Sequence, residues 1–231
     1  MHDIIKHLNT KFANTDKLND IFVGTPPYPM IVLDDFLPTE YAHMLEQEIP
    51  GISDQYWTEF TRRGSRMKEC VKLDQAPVAN EFVNQMHSQQ GMQWLSKLTN
   101  IKDLIPDPYI VGAGYSKSYR GDSLQVHTDF NWNNRLKLNR KVNLILYLNS
   151  EWNEDWGGSL EFWDDEKTHC VQKISPLPNR LVLWIYDTNL IHGFPELLAS
   201  PENVSRNNLI QFYYTSNATW EKDPKRSNFN L

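Results

Sequence analysis

From Pro108 onward the chain changes its hydrophobic period, and this change constrains the fold more than any other feature. Tyr109–Val111, Leu124–Val126, Val142–Leu148, Ser159–Trp163, Leu181–Ile185 and Leu209–Tyr214 are short apolar runs rich in β-branched and aromatic residues. Gly, Asn, Asp and Pro clusters separate them, which is the pattern of successive strands joined by turns. Repeated short strands of this kind build a sandwich or barrel, and a double-sheet jelly roll is a suitable host.

The first hundred residues read differently, as mostly helical. Ile4, Ile5, Leu8 and Phe12 fall on one helical face. Met30–Leu33 is a short strand candidate, and Pro38 suits the start of a helix running to about Glu48. Val78, Phe82 and Met86 recur four apart after Pro77, as in a further helix. The expected architecture is mainly β with N-terminal helices, in one domain over residues 1–231. Residues 1–107 would be a helical support with a lid hairpin, 108–215 the core, and 216–231 a loose polar tail.

With 231 residues, 40% hydrophobic and 23% charged, the chain is long enough for one sizeable core. Eight Trp and ten Tyr suit a β-rich protein with an aromatic-lined cavity. A net charge of −6 argues against a general nucleic-acid surface. No signal-peptide pattern and no membrane-length apolar run are seen, so a cytoplasmic protein without a membrane partner is expected. Oligomeric state is not legible; a monomer is the default. Cys70 and Cys170 form no Cys-x-x-Cys pair, so they read as two reduced thiols rather than a zinc or redox motif.

Within the strand-rich part stands His127-Thr128-Asp129. Alternate residues of a strand share a face, so both side chains would project together and grip one cation. A third ligand from another strand, His192, would complete a two-histidine, one-carboxylate face with open positions, the preference of Fe(II) oxygenases. Alone, the tripeptide fits a turn equally well; the later His192 and Arg206 add weight.

The segments Tyr119–Asp129, Val142–Trp152, Gly157–Leu160, Asn179–Trp184, His192-Gly193 and Arg206, in this order, resemble the Fe(II)- and 2-oxoglutarate-dependent oxygenases of the prolyl 4-hydroxylase-like branch. The resemblance implies a double-stranded β-helix (cupin-like) core with His127, Asp129 and His192 as iron ligands. It implies that Arg206 binds the distal carboxylate of 2-oxoglutarate, shared with Tyr147, and that Tyr119 is a further cosubstrate contact. Fe(II), 2-oxoglutarate and O2 would be required, with ascorbate as reductant. The two charges of iron, set against Asp129 and the dicarboxylate, leave one negative charge for Arg206 to neutralise. A guanidinium matches a carboxylate in a bidentate way and stays charged when buried.

Asn131 and Trp132 follow the ligand pair on an expected loop, where substrate contact and ordinary turn chemistry are both open. Trp184 reads as core or cavity wall, with substrate contact the alternative. The basic run with Arg62, Arg63 and Arg66 is either a solvated hairpin tip or, by resemblance, a lid over substrate. The expected reaction is hydroxylation of a prolyl residue, at C4, in a peptide or protein. Alternatives are hydroxylation of a small molecule such as a free amino acid, and a non-catalytic jelly-roll binding module. Nucleic-acid demethylation fits less well, because Phe212 stands where that branch carries a second arginine.

Overall fold

In a computed structural model, residues 2–25, 28–62, 64–70, 72–186, 190–216 and 224–228 are described. Five helices occur among them: α1 Ile4–Lys11, α2 Thr15–Gly24, α3 Thr39–Glu48, α4 Pro77–His87 and α5 Gln89–Thr99. The strands are β1 Met30–Leu33, β2 Thr58–Arg62, β3 Ser65–Cys70, β4 Ile105–Pro106, β5 Gly114–Ser118, β6 Leu124–His127 and β7 Trp132–Asn133. They continue as β8 Leu138–Tyr147, β9 Leu160–Trp163, β10 Cys170–Ile174, β11 Leu181–Ile185, β12 Ile191–Phe194 and β13 Arg206–Thr215.

Two sheets form. The larger runs β1-β11-β8-β13-β5-β3-β2, with β4 on β13 and β7 on β8; the smaller runs β10-β9-β12-β6. This is the double-sheet arrangement of a double-stranded β-helix, and it matches the expected fold class.

Strand alternation sorts the central side chains between two cores. From β8 and β13, Val142, Leu144, Leu146, Leu209 and Tyr213 join an apolar cluster with residues of all five helices. Ile145 and Tyr147 point the other way and meet Leu160 and Phe162 of the smaller sheet. The helices therefore cover one face of the larger sheet and leave the other free to wall a cavity.

Some expectations are corrected. Tyr109–Val111 is a turn, because the Asp107 carboxylate accepts from the Tyr109 and Val111 amides at 2.8 and 3.1 Å. The strand starts later, at Gly114. The hairpin around Arg62 and Arg66 is real, but β3 pairs with β5, so it extends the larger sheet rather than standing apart. Residues 224–228 are not loose: Thr128 and Asn228 form an antiparallel bridge. No helix of the described residues is long and apolar enough to cross a membrane.

Candidate metal and cosubstrate site

His127 ends β6, and His192 lies opposite it on β12 in direct register. Asp129 follows two residues on. This pairing brings one ligand atom from each of the three within 4.8 Å of one another. Asp129 Oδ1 is 3.5 Å from His127 Nε2, and its Oδ2 is 3.4 Å from His192 Nε2. The histidine rings are 4.7 Å apart, centre to centre. Cis ligands of an octahedral ion bound at about 2.1 Å stand about 3 Å apart, so the cluster suits a small divalent cation.

The His127 Nδ1 lies 2.9 Å from the Gln125 carbonyl. That carbonyl only accepts, so Nδ1 carries the proton and Nε2 presents its lone pair to the cluster. Burial lowers the His127 pKa and keeps the ring in the neutral form a metal needs. Gly193 permits the close packing of β12 on β6, since a Cβ there would lie 2.6 Å from the Leu124 carbonyl. Trp184 packs edge-on to His192, with ring centres 5.5 Å apart.

Asp129 has partners that sequence reasoning missed. Arg140 Nη2 donates to its Oδ2 at 2.8 Å, and Asn143 Nδ2 to the same oxygen at 3.2 Å. The Tyr186 hydroxyl donates to the Asp129 carbonyl at 3.1 Å. Burial pushes the Asp129 pKa up, but the charge of the Arg140 guanidinium outweighs it. The carboxyl is held well below its ordinary value. Arg140 also lies over the Phe212 ring, 3.5 Å from its centre.

A cavity of about 370 Å³ opens from this cluster. Its wall includes His127, Asp129, His192 and Arg140 at one end, and Ser116, Asn208 and Arg206 from β5 and β13. Arg206 is only 3% exposed. Its Nε donates to the Gly158 carbonyl at 2.7 Å and its Nη2 to the Tyr147 hydroxyl at 3.2 Å. Among the described residues it makes no ion pair. Burial lowers its pKa, with Tyr147 opposing. Gly158, at φ +72°, leaves the space Arg206 needs, because a Cβ would meet its Cδ at 3.0 Å. Gly158 therefore helps to seat this arginine.

A buried guanidinium held only by neutral groups is costly unless an anion completes it. In one cavity with the His127–Asp129–His192 cluster, it fits a small dicarboxylate.

The remaining expected residues are placed as follows. Tyr119 does not line the cavity; its amide donates to the Asp122 carboxylate in a turn after β5, and Ser116 is the β5 residue in the wall. Trp132 is buried in β7 and Asn131 is fully buried, neither in the cavity wall. Arg62 and Trp184 are in the wall; Arg66 instead pairs with Asp122, and Arg63 lies outside the described residues. Phe60, Met67 and Glu69 of the hairpin also reach the wall. The Glu69 carboxyl is pushed up by burial and by the charge of Asp129.

Comparison with known proteins follows the same outline. Residues 113–214 match the sequence pattern of the 2OG-Fe(II) oxygenase superfamily. The mouse (Mus musculus) prolyl 3-hydroxylase OGFOD1 is 30% identical over 130 residues, which are 54% of this chain and 22% of that protein. The chain thus spans about a fifth of the length of this curated relative. A Trichoplax adhaerens prolyl hydroxylase, solved with a hypoxia-inducible-factor degradation-domain peptide, superposes with a TM-score of 0.64 at 16% identity, covering 94% of this chain and 97% of that one. A Phytophthora capsici prolyl 4-hydroxylase gives 0.61 at 18%, covering 92% and 65%. At these identities the superpositions speak for the fold. The superfamily implies Fe(II), 2-oxoglutarate and O2. Sequence pattern and backbone agree over the strands that carry the cluster: residues 113–214 are similar to the 2OG-Fe(II) oxygenase superfamily, and the fold is that of solved prolyl hydroxylases.

Proposed function

We propose that the chain is an Fe(II)- and 2-oxoglutarate-dependent dioxygenase that hydroxylates a prolyl residue of a peptide or protein at C4. The observation that carries this reading is Arg206, a buried cation without an ion-pair partner among the described residues, in one cavity with the His127–Asp129–His192 cluster. When bound, iron and 2-oxoglutarate supply the oxidising power: O2 is consumed, C–H becomes C–OH, and succinate and CO2 leave.

The chain's own residues do the rest. His127, Asp129 and His192 would hold the metal, a two-histidine, one-carboxylate set of the kind that suits Fe(II). Arg206 and Tyr147 orient the cosubstrate by its distal carboxylate, which aims its other end at the metal. Arg140 and Asn143 fix Asp129 by its Oδ2. Phe60, Met67, Trp184 and Phe212 keep the reacting space dry.

The similarity to a prolyl 3-hydroxylase favours a second reading, hydroxylation at C3. The test incubates the enzyme with Fe(II), 2-oxoglutarate and ascorbate against proline-containing peptides and free amino acids. Succinate formation and a +16 Da peptide are expected, and hydrolysis to 4- or 3-hydroxyproline decides the carbon. A hydroxylated free amino acid with every peptide untouched would replace the peptide substrate by a small molecule. Absence of iron-dependent succinate with all substrates would leave a binding module.

A further inference from the structure

The outer edge of the metal cluster is already occupied by this chain. Thr128, the residue between the two ligands of the tripeptide, pairs with Asn228: its amide donates to the Asn228 carbonyl at 3.1 Å and its carbonyl accepts from Asn228 at 2.8 Å. The contacts continue on both sides. The Lys225 amide donates to Asn131 Oδ1 at 2.7 Å, and the Asn131 amide to the Lys225 carbonyl at 3.4 Å. The Phe130 amide donates to Ser227 Oγ at 3.2 Å, and Arg62 Nη1 to the Ser227 carbonyl at 3.3 Å. Pro224–Asn228 thus lies as an extended strap between the hairpin and the loop after His127, and Arg226 and Ser227 form part of the cavity wall.

The way this strap is held matters more than its presence. Pro224, Lys225, Arg226 and Asn228 are exposed, and Ser227 is half-buried. The strap anchors through hydrogen bonds, mainly of the main chain, rather than a buried apolar side chain. Main-chain pairing of this kind is indifferent to sequence, and it is how an exposed strand edge accepts an extended peptide from another molecule.

We propose that this edge is the docking groove for the peptide substrate, and that Pro224–Asn228 is its resident occupant, displaced when substrate binds. The partner is an extended peptide paired through its backbone to Thr128 and Asn131, so that it runs past the His127–Asp129–His192 cluster. This rests on the peptide reading of the function. It also explains why Asn131 is buried against the strap instead of reaching the cavity.

The test uses the full chain loaded with Mn(II) and 2-oxoglutarate. The double variant Lys225→Pro/Asn228→Pro removes the two amides that the strap donates. The single variant Lys225→Pro, at an exposed position, is the fallback should the double variant melt early. The probe is a labelled synthetic peptide with the sequence of residues 222–230. Expected are at least tenfold tighter probe binding to the variant than to the native chain, and faster hydrogen exchange at the Thr128 amide of the variant that slows again when probe is added. In the native chain, excess probe should speed exchange at Asn228 and leave Thr128 protected. Equal probe affinity in variant and native chain overturns the proposal. So does slower Asn228 exchange with probe bound, which would make the strap a cover closing over the substrate. Succinate formation and proline hydroxylation are measured separately. Probe displacement without hydroxylation of any peptide keeps the groove and sinks the catalytic reading; hydroxylation without displacement does the reverse.

Discussion

Arg140 and Arg206 border the same cavity, are 1% and 3% exposed, and are held in opposite ways. Arg140 meets a carboxylate, Asp129, and is sandwiched against Phe212. Arg206 meets a carbonyl and a phenol, both neutral. One cation is thus internally neutralised and belongs to the architecture of the metal end. The other has no counter-ion among the described residues. Equal burial therefore does not mean equal purpose; the counter-ion decides.

This contrast can be broken by stability measurements. Arg140→Leu strands the Asp129 carboxylate in a buried site, and chemical denaturation of the metal-free protein should show a loss of about 3–5 kcal/mol. Adding Mn(II) should recover part of that loss, because the ion takes over the neutralising role. Arg206→Leu should behave otherwise: little or no loss of stability, but cosubstrate binding weaker by about 2–5 kcal/mol, read by calorimetric titration of 2-oxoglutarate. Equal destabilisation by the two substitutions would erase the distinction drawn here.

The pH dependence of folding sharpens it. Burial lowers His87, packed edge-on to Tyr213, from 6.5 to about 4. The unfolded chain therefore takes up a proton before the folded one does. The contribution is fully present above pH 6.5 and is lost as pH falls toward 4, roughly 2–3 kcal/mol over that window. His87→Phe should flatten the stability profile there. Any loss remaining below pH 4 then reports acidic groups such as Asp129, whose folded value is depressed. The smallest effect is expected for Tyr147→Phe, which removes one hydrogen-bond acceptor from Arg206. Cosubstrate binding should weaken by about 1 kcal/mol with the fold unchanged.

Much of the site was legible because it obeys strand alternation. His127 and Asp129 read as one unit, and Tyr147 shares its face with Asn143 and Ile145. Arg140 escaped for a physical reason. The register between β8 and β13 shifts between Tyr213 and Tyr214, so that Val142 and Arg140 face consecutive residues and Lys141 is bulged out. A bulge reverses the facing of everything beyond it, which turns an even-numbered residue of β8 toward the cavity. Strand β5, Gly-Tyr-Ser-Lys-Ser, is buried along its whole length yet mostly polar, so no hydrophobic run announced it. The strand was therefore expected five residues too early, and Tyr119 was assigned to a wall that Ser116 occupies. The strap was invisible because main-chain hydrogen bonds leave no mark on side-chain composition.

The most direct test of the central claim is anaerobic calorimetric titration of 2-oxoglutarate into the native chain with and without Mn(II), repeated with His192→Ala. The account predicts strong binding only when the metal and all three ligands are present, with Arg206 intact. Binding of equal strength without metal, or in His192→Ala, would contradict a shared metal and cosubstrate site.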